Sequence, residues 1–461
     1  MGTPAEPTLS LLRSAWSALD GDERLLELVD VTGNENGLLP SALAALPAMT
    51  AAVSSATLAA ATLDAARRSG SPAPVHIDTE HVAVAATSER HAHEVGSTSR
   101  TDLFAPLSRF WRTADGWLRL HANYAWHRER ALRVLGCDER PEAVAEVVRD
   151  WRGADLEDAL ADAGALGYVV REREEWLRHP QGRAVAALPL VEQVVGSGAG
   201  RSLGAGRVAE GVRVLDLTRV IAGPVATRTL SAWGAEVLRI DSPRLPELPA
   251  QALDTLQGKR SALLDLAEPA AQARLHELLA ETDVVVQGYR PGALSRYGLS
   301  PHELAERHPH LTVVTLSAWS TAGPWAQRRG FDSLVQCPTG VAAAEGDGER
   351  PGALPAQVLD HATGYLAAAA ALLSLARVQR GEPPRLVWLS LAQTAEWLWS
   401  VGVQEREPTR ATEPGRYLVT LPGARRPVRV VAPPGQVGGL APRWESTTEI
   451  GTDEPVFLGR S

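Results

Sequence analysis

Asp360 is an isolated acid at the start of the most apolar helical segment of the sequence. It stands in "LPAQVLDHATGYLAAAAALLSLARVQRG" (residues 354–381), and no Asp, Glu, Lys or Arg follows it until Arg377. An aspartate at a helix start commonly caps free backbone N–H groups and suits the positive end of the helix dipole. A carboxylate there, beside the small residues at 362–364, can also serve as a covalent nucleophile. The residues themselves leave both roles open for Asp360.

A second candidate site follows the first strand of the predicted core. In "VLDLTRVIAGPVATRTL" (residues 214–230) a strand leads through Ala222-Gly223-Pro224 into a helix. Gly223 permits close backbone approach, and Pro224 suits a first helical turn. A helix N-terminus after a parallel strand is a natural anion site, although an ordinary strand-to-helix turn has the same sequence pattern.

Basic residues lie near the ends of several predicted strands. Those that follow strands are Arg239, Arg244, Arg290 and Arg296, and those that precede one are Lys259 and Arg260. Ligands of open α/β sheets bind beyond the carboxyl ends of the strands, so Arg239, Arg244 and Arg290 are well placed to meet phosphates. Solvated surface charge is the simpler interpretation of any one of them, but their grouping around one sheet favours a polyphosphate ligand.

The histidines of "HIDTEHVAVAATSERHAH" (residues 76–93) raise the question of a metal site. Strand alternation puts His76 and His81 on opposite faces, which favours surface histidines. The two cysteines, Cys137 and Cys337, are far apart and lack metal-type spacing. We therefore expect no metal and no tightly bound cofactor.

The elements that position these residues lie mainly between residues 212 and 400. The runs "VRVLDL", "AEVLRID", "SALLDL" and "DVVVQGY" alternate with helical patterns. "LTVVTLSAW" and "RLVWLSL" add two strands, with the Asp360 helix as the crossover between them. This alternation predicts a parallel α/β core. The glycine-rich "GSGAGRSLGAG" (residues 196–206) precedes the first strand and does not fit G-x-G-x-x-G, which indicates a linker and not a dinucleotide fingerprint.

An internal repeat relates two distant parts of the chain. "LAAAAALLSLARVQRGEPPRLVWLSLAQTAE" (residues 366–396) has a counterpart in "SATLAAATLDAARRSGSPAPVHIDTEHVAVA" (residues 55–85), each with an alanine-rich helix, a basic turn with glycine and a strand. Matching Gly381 with Gly70 gives an offset of 381 − 70 = 311, which places Met49 opposite Asp360. The first copy thus has the framework without the acid.

These patterns divide the chain into consecutive parts. They are a degenerate half-copy of the core (residues 1–100), a smaller α+β domain (101–195), a glycine-rich linker (196–210), the α/β core with Asp360 (211–400) and a Pro- and Gly-rich tail (401–461). The smaller domain should contain a hairpin that turns at Asp115-Gly116. "PVRVVA" in the tail is a candidate for an added strand.

The composition is that of a soluble globular protein. The net charge of −9 comes from acidic and basic residues mixed along the chain, which argues against a nucleic-acid partner. The two alanine-rich runs are too short or too weakly apolar to indicate membrane spans, and the first residues lack a secretory pattern. We therefore expect no nucleic-acid or membrane partner and a cytoplasmic location.

Taken together, several stretches resemble the class III CoA-transferase family, which includes formyl-CoA transferase, carnitine CoA-transferases and α-methylacyl-CoA racemase. They are "RVLDLTRVIAGPVATRTLSAWGAEVLRID", "GKRSALLDL", "TDVVVQGYRPGALSRYGLS", "AGPWAQRRGFDSLVQ" and "LDHATGYLAAAAALLSLARVQRG". "RTADGWLRLHANYAW" and "EEWLRHPQGRA" resemble the small domain of the family. The order is permuted, because the small-domain text precedes the core, and the segment between residues 241 and 258 is short for the family.

The resemblance implies a Rossmann-like CoA-binding core with a smaller α+β domain, an interlocked homodimer, and acyl-CoA and carboxylic acid substrates. Coenzyme A would bind as a substrate and not as a tightly held cofactor. The family's catalytic aspartate stands in an Asp-x-x-x-Gly pattern, which is matched here by Asp360 and Gly364. By the same match, the residues around the CoA would be Val220, Ile221, Arg239, Lys259, Gly288, Tyr289 and Arg296.

We therefore predict CoA transfer through an aspartyl-CoA thioester on Asp360, with backbone N–H groups at the helix start stabilising the oxyanions. Racemisation at the α-carbon of an acyl-CoA is the nearest alternative, but it needs a second acid/base. Gly330-Phe331-Asp332 stands here in place of the "GHD" motif of the family's racemases, and His361 points elsewhere than its neighbour Asp360. A non-catalytic CoA-binding protein is a third alternative, suggested by the degenerate first copy.

Overall fold

The computed structural model describes residues 5–97, 103–204 and 206–459. Its strands are β1 (Val29–Thr32), β2 (Val75–Asp78), β3 (His93–Glu94), β4 (Phe110–Arg112), β5 (Trp117–Leu120), β6 (Gly167–Val169), β7 (Glu192–Val195), β8 (Arg213–Leu217), β9 (Glu236–Asp241), β10 (Lys259–Leu263), β11 (Val284–Gln287), β12 (Thr312–Ser317), β13 (Arg385–Ser390), β14 (Leu418–Leu421), β15 (Val428–Val431) and β16 (Gln436–Val437). Its α-helices are α1 (Glu6–Ala18), α2 (Ala45–Arg68), α3 (Thr79–Ala85), α4 (Ala125–Leu135), α5 (Pro141–Val148), α6 (Gly153–Asp162), α7 (Arg173–Arg178), α8 (Pro180–Ala186), α9 (Ala222–Ala232), α10 (Pro249–Thr255), α11 (Pro269–Glu281), α12 (Pro301–Arg307), α13 (Asp332–Val335), α14 (Val341–Ala344), α15 (Val358–Gln379) and α16 (Leu391–Trp399).

The largest sheet has seven strands in the order β10-β9-β8-β11-β12-β13-β7. All of its neighbouring pairs are parallel except β13 with β7, which is antiparallel. This confirms the predicted parallel core, and α15 is the predicted crossover between β12 and β13. The chain runs from β8 to β10 on one side and from β11 to β13 on the other, so the strand order reverses between β8 and β11. Such a reversal opens a crevice at the carboxyl ends of the strands.

The internal repeat is confirmed as a repeated β-α-β unit. In the first unit β1 and β2 pair in parallel around α2, and in the second β12 and β13 pair in parallel around α15. The last strand of each unit has an antiparallel neighbour, β16 or β7. At the offset of 311 the end of α15 at Gln379 falls on the end of α2 at Arg68, since 379 − 311 = 68. The two copies therefore match in topology and in the position where the helix ends, although α2 has 24 residues and α15 has 22.

The two long helices α2 and α15 lie against each other in one apolar core. By length and composition alone, both are long and apolar enough to cross a bilayer, but here their side chains are almost entirely buried inside the protein. Their alanine-rich surfaces allow the axes to approach closely, because the distance between packed helices depends on the side chains at the contact. This core also contains residues of the large sheet, so the first copy and the second share their packing.

The smaller region is built on an antiparallel sheet of β4, β5 and β6 with its own apolar core. Asp115 and Gly116 lie between β4 and β5, which confirms the predicted hairpin. In the tail, "VRVV" forms β15, which pairs with β14 and with β3 of the first copy. β7 ends at Val195, and the described residues from there to β8 form no helix or strand, as expected of the glycine-rich linker. The division of the chain into separate domains stays a prediction.

Candidate active site

Asp360 lies in the first turn of α15, in the wall of a cavity of about 840 Å³. The loops that follow β8, β9, β10 and β11 form much of the remaining wall. The cavity thus occupies the crevice where the strand order reverses, which is the usual ligand position in open α/β sheets. Asp360 is 6% exposed, so it contributes to the cavity wall while being largely withdrawn from bulk water.

A second buried acid, Asp332, caps the start of α15 from outside the helix. Its Oδ2 accepts a 2.9 Å hydrogen bond from the backbone N–H of Asp360, and the backbone N–H of Leu359 also donates to it. Its Oδ1 accepts a bond from Gln336 Nε2. Asp332 therefore has the capping role that the sequence left open for Asp360. It also occupies the N–H groups that we expected to stabilise oxyanions, so that expectation is corrected.

Asp360 and Asp332 form a buried acidic pair in which the negative charge of Asp332 disfavours ionisation of Asp360. Burial raises the pKa of Asp360 well above its usual range, and the negative charges of Asp332 and Glu89 raise it further. Burial also raises the pKa of Asp332, but the hydrogen bonds that it accepts favour its charged form. When the pair holds one proton, Asp360 is therefore the protonated member. Nucleophilic attack by Asp360 requires that this proton leaves first.

The small residues that follow the acid serve helix packing. A Cβ on Gly364 would lie 2.5 Å from the carbonyl oxygen of Ala222 and 2.8 Å from Val225 Cβ, so a glycine is needed where α15 touches α9. Ala362 and Thr363 are fully buried. None of the three lines the cavity, which corrects the expectation that they leave room for a substrate.

His361 does not face the cavity, although it adjoins Asp360. Its side chain is fully buried, and its Nε2 lies 3.3 Å from Glu89 Oε2. Asp360 belongs to the cavity wall and His361 does not. The ring is therefore not placed to act as the second acid or base that racemisation requires.

Val220 lines the cavity in a backbone conformation that is rare for a β-branched residue, with φ of 69°. Its N–H donates to Glu247 Oε2 at 3.0 Å, and Glu247 Oε1 accepts a 2.5 Å bond from the hydroxyl of Tyr124 in the smaller region. These bonds hold the loop between β8 and α9 against the smaller region and stabilise its strained backbone. Ile221, the next residue, is buried and lies outside the cavity wall.

Three further residues implied by the resemblance line the cavity. Gly288, Tyr289 and Arg296 belong to the segment after β11. Together with Val220 and Asp360 they lie around one space, as the resemblance implies. Their contact with CoA stays a prediction.

Arg239 and Lys259 lie outside the cavity wall. Arg239 is fully buried and bonds to Asp241 at 2.7 and 2.9 Å and to Glu247 at 3.3 Å. Lys259 Nζ bonds to Asp216 Oδ2 at 3.0 Å, and burial lowers the pKa of Lys259 to about 8. Both cations are thus paired with internal carboxylates. This geometry differs from the expected position beside phosphates, and we leave both residues out of the binding site proposed below.

Other arginines give the cavity its positive charge. Those in its wall are Arg219, Arg244, Arg290, Arg296, Arg328 and Arg329. Arg219, Arg244 and Arg328 pair with carboxylates. In the described part of the chain, Arg290, Arg296 and Arg329 form no ion pair. Burial and repulsion from Arg290 and Arg130 lower the pKa of Arg329, so an anion placed here would relieve a local excess of positive charge.

Aromatic residues form another face of the cavity. The rings of Tyr124 and Trp126 are stacked with centroids 4.8 Å apart, and the ring of Phe331 lies 6.1 Å from Tyr124 and 6.2 Å from His127. Phe331 adjoins Asp332 in sequence, which places this face near the acidic pair. Burial and nearby arginines lower the pKa of His127 to about 3, so its ring is neutral at pH 7. The face suits an apolar group.

Sequence reasoning missed three acids that organise the site. Asp332 was noted only because no histidine precedes it, although an acid within an otherwise apolar stretch is a signal for a buried role. Glu247 lies in a Pro- and Leu-rich segment without periodicity, and Glu89 lies in a segment that we interpreted as surface. Neither of these two gave a sequence signal, because their partners are distant along the chain.

Comparison with known proteins finds similarity to one family. Residues 209–423 match the model of CoA-transferase family III. An acyl-CoA transferase of Gibberella moniliformis is 30% identical over 298 residues, which are 59% of this chain and 52% of the relative. A human succinyl-CoA:glutarate CoA-transferase is 33% identical over 216 residues, 41% of this chain and 49% of the relative. The chain thus spans about half the length of the curated relatives it matches.

Solved structures include a similar protein of Mycobacterium tuberculosis. Its crystal structure is 30% identical in sequence with a TM-score of 0.40, covering 42% of this chain and 57% of that one. Residues 209–423 are thus similar to CoA-transferase family III, the family that the motifs of the sequence resemble.

Proposed function

We propose that the protein is an enzyme that transfers coenzyme A from an acyl-CoA to a carboxylic acid, with Asp360 as the nucleophile. The observation that carries this proposal is the position of Asp360, a buried carboxyl group in the wall of the crevice cavity, within the segment that matches the family. The printed names of the relatives, such as succinyl-CoA:glutarate CoA-transferase, support the same reaction class.

The proposed reaction proceeds in four substitutions at acyl carbons. The Asp360 carboxylate attacks the thioester carbonyl of the donor and expels CoA thiolate, which leaves a mixed anhydride. The thiolate attacks the aspartyl carbonyl and expels the donor carboxylate, which forms the aspartyl-CoA thioester. The acceptor carboxylate then attacks this thioester and again expels CoA thiolate. The thiolate finally attacks the acceptor carbonyl of the second anhydride, forms the new acyl-CoA and regenerates the Asp360 carboxylate.

The wall of the cavity suggests how a CoA ester would lie in it. Arg290, Arg296 and Arg329 supply cations that pair with no carboxylate among the described residues, which suits the phosphates of CoA. Val220, Gly288 and Tyr289 lie between the loops at the ends of β8 and β11, where the pantetheine arm would run towards Asp360. The aromatic face beside Phe331 would then contact the acyl group. Because this face is apolar, it favours an acid with an apolar side chain.

Racemisation and simple CoA binding are the rival functions. A racemase needs a second acid or base facing Asp360, and His361 is bound to Glu89 outside the cavity. A buried acidic pair costs free energy of folding, and a non-catalytic binding protein would gain nothing in return. Both observations favour the transferase.

The Rossmann-like classification and the interlocked homodimer remain proposals that rest on the resemblance, and the cytoplasmic location remains a proposal that rests on the composition of the sequence. The dimer has a direct test in sedimentation velocity. A single species at twice the chain mass supports it, and a species at the chain mass of 49.2 kDa contradicts it.

Intact-protein mass spectrometry tests the proposed chemistry. The protein is incubated with a panel of acyl-CoAs, with and without hydroxylamine, and compared with Asp360→Ala. We expect an adduct of the mass of CoA that hydroxylamine removes and that Asp360→Ala never forms. If no donor gives this adduct although CoA binds, the proposed thioester is wrong and the racemase or the binding protein takes its place.

A further inference from the structure

Besides the packing of α2 against α15, the first copy of the repeat contacts the start of the Asp360 helix through a 3₁₀ turn, Ser88–Arg90. This turn follows α3 of the first copy and lies far from α15 in sequence. All three of its side chains bond to elements of the second half of the chain. A turn that only connected two elements of the chain would not need polar contacts from all three of its side chains.

Glu89 is the central residue of this turn and contacts the helix itself. Its side chain is 5% exposed, and its Oε2 lies 3.3 Å from Nε2 of the fully buried His361. His361 directly follows Asp360, and consecutive side chains on a helix are fixed relative to each other by the backbone. Holding the ring of His361 therefore fixes the rotation of the first turn of α15. The same rotation determines where the carboxyl group of Asp360 points.

The flanking residues hold the surroundings of this turn. Arg90 Nη2 donates a 2.5 Å bond to the carbonyl oxygen of Pro355, in the segment that leads into α15. Ser88 Oγ donates to Asp254 Oδ2 at 2.8 Å and accepts from Arg228 Nη2 at 3.0 Å. The turn is thus bonded to α9, α10, α15 and the entry to α15. Asp332, in α13, accepts a hydrogen bond from the backbone N–H of Asp360 and so holds the same helix start.

We propose that Glu89 is a positioning residue of the active site, through which the first copy orients Asp360 by way of His361. The proposal rests on the function proposed above, because orientation matters only if Asp360 reacts. It gives the first copy a role beyond completing the apolar core. The first copy, which has no acid at this position, would then orient Asp360 of the second copy.

Three variants test the proposal by separating binding from chemistry. Glu89→Gln removes the charge that holds His361, and Glu80→Gln is the matched control, because Glu80 pairs with Arg416 of the tail and not with α15. The double variant Glu89→Gln/His361→Gln replaces the contact between Glu89 and His361 with two amides that can hydrogen-bond to each other. The rate of CoA-adduct formation is measured by mass spectrometry, and the dissociation constant of CoA by titration.

We expect Glu89→Gln to slow adduct formation on the order of 10- to 100-fold, since a displacement of about 1 Å can have that effect, with the CoA dissociation constant nearly unchanged. The double variant should recover part of this loss, and Glu80→Gln should behave as the wild type. If Glu89→Gln forms the adduct as fast as Glu80→Gln, or if CoA affinity falls in parallel with the rate, the positioning role is overturned.

Hydrogen–deuterium exchange provides a readout that does not depend on the chemistry. We expect faster exchange in residues 355–364 of Glu89→Gln than in the wild type and in Glu80→Gln. Unchanged exchange there would overturn the proposal whatever the activity. If exchange changes while the wild type forms no adduct with any donor, the proposed function fails and the contact of the first copy with α15 still stands.

Discussion

The helices α2 and α15 have the same place in two copies of one β-α-β unit, yet only one of them starts with an acid. Met49 in α2 corresponds to Asp360 in α15, and Met49 is fully buried in the apolar core while Asp360 lines a cavity. Asp332 caps the start of α15. No side chain caps the start of α2 in this way within the described residues.

This difference shows that the framework and the chemistry of the repeat are separable. Both helices bury their alanine-rich surfaces against each other, and this packing does not depend on the acid. The acid requires in addition a cavity and a partner such as Asp332 that holds the helix start. The first copy kept the packing role and, through Glu89, a contact with the acidic copy.

The largest expected effect comes from removing the acid. Asp360→Asn should lower CoA transfer by about 1,000-fold or more while CoA affinity is retained, because only the nucleophile is lost. Steady-state transfer assays and CoA titration measure the two quantities. Met49→Leu is the control in the other copy and should transfer CoA as the wild type does. A fully active Asp360→Asn would remove the proposed distinction between the copies.

Placing an acid in the first copy, at Met49, should lower the free energy of unfolding. Met49→Asp places a carboxyl group in an apolar core without a partner, which should cost about 3–5 kcal/mol of unfolding free energy. Met49→Leu conserves volume and should cost less than about 1.5 kcal/mol. Urea unfolding followed by fluorescence compares the two. Equal stability of both variants would mean that α2, like α15, can accommodate an acid.

A smaller loss should follow from the contact between α15 and α9. Gly364→Ala would place a methyl group 2.5 Å from the carbonyl oxygen of Ala222, so we expect a cost of about 1–3 kcal/mol from overpacking. At Gly70 in the first copy nothing lies within 4 Å of an added Cβ, so Gly70→Ala should change stability by no more than about 0.5 kcal/mol. Thermal unfolding of both variants measures the difference. If Gly364→Ala unfolds like Gly70→Ala, the close contact is not needed.

The acidic pair predicts a pH dependence of transfer. The reaction needs ionised Asp360, and its pKa is raised by burial first and then by Asp332 and Glu89. Activity should therefore fall as the pH decreases through this raised pKa. Asp332→Asn removes one negative charge, so the acid side of the pH profile should move to lower pH by about one unit. Glu80→Gln should leave the profile in place, and an unmoved profile in Asp332→Asn would show that the pair is not coupled.

Much of the fold was predictable because it depends on local patterns. Apolar strand runs alternating with helical segments predicted the parallel core and the crossover by α15, and both were confirmed. The repeat with its offset of 311 was visible in composition and spacing, since each copy must form the same buried helix. The hairpin at Asp115-Gly116 followed from turn chemistry alone.

The candidate site was predictable only where its residues stand in a contiguous motif. Asp360, Gly288, Tyr289, Arg296 and Val220 lie around the cavity as the motifs suggested. The sequence did not distinguish them from Arg239 and Lys259, which lie within β9 and β10 and not in the loops after these strands. Strand alternation and packing turn those two side chains towards buried carboxylates.

The sequence by itself determined the secondary structure, the repeat, the resemblance to a family and the identity of the isolated acid. The tertiary structure alone decided which charges are free to meet a ligand and which groups control the acid. Such polar contacts depend on distances of a few ångströms between residues that are remote in sequence, as between Glu89 and His361 or between Lys259 and Asp216. A linear pattern carries no information on such distances, because they are set by how the copies pack together.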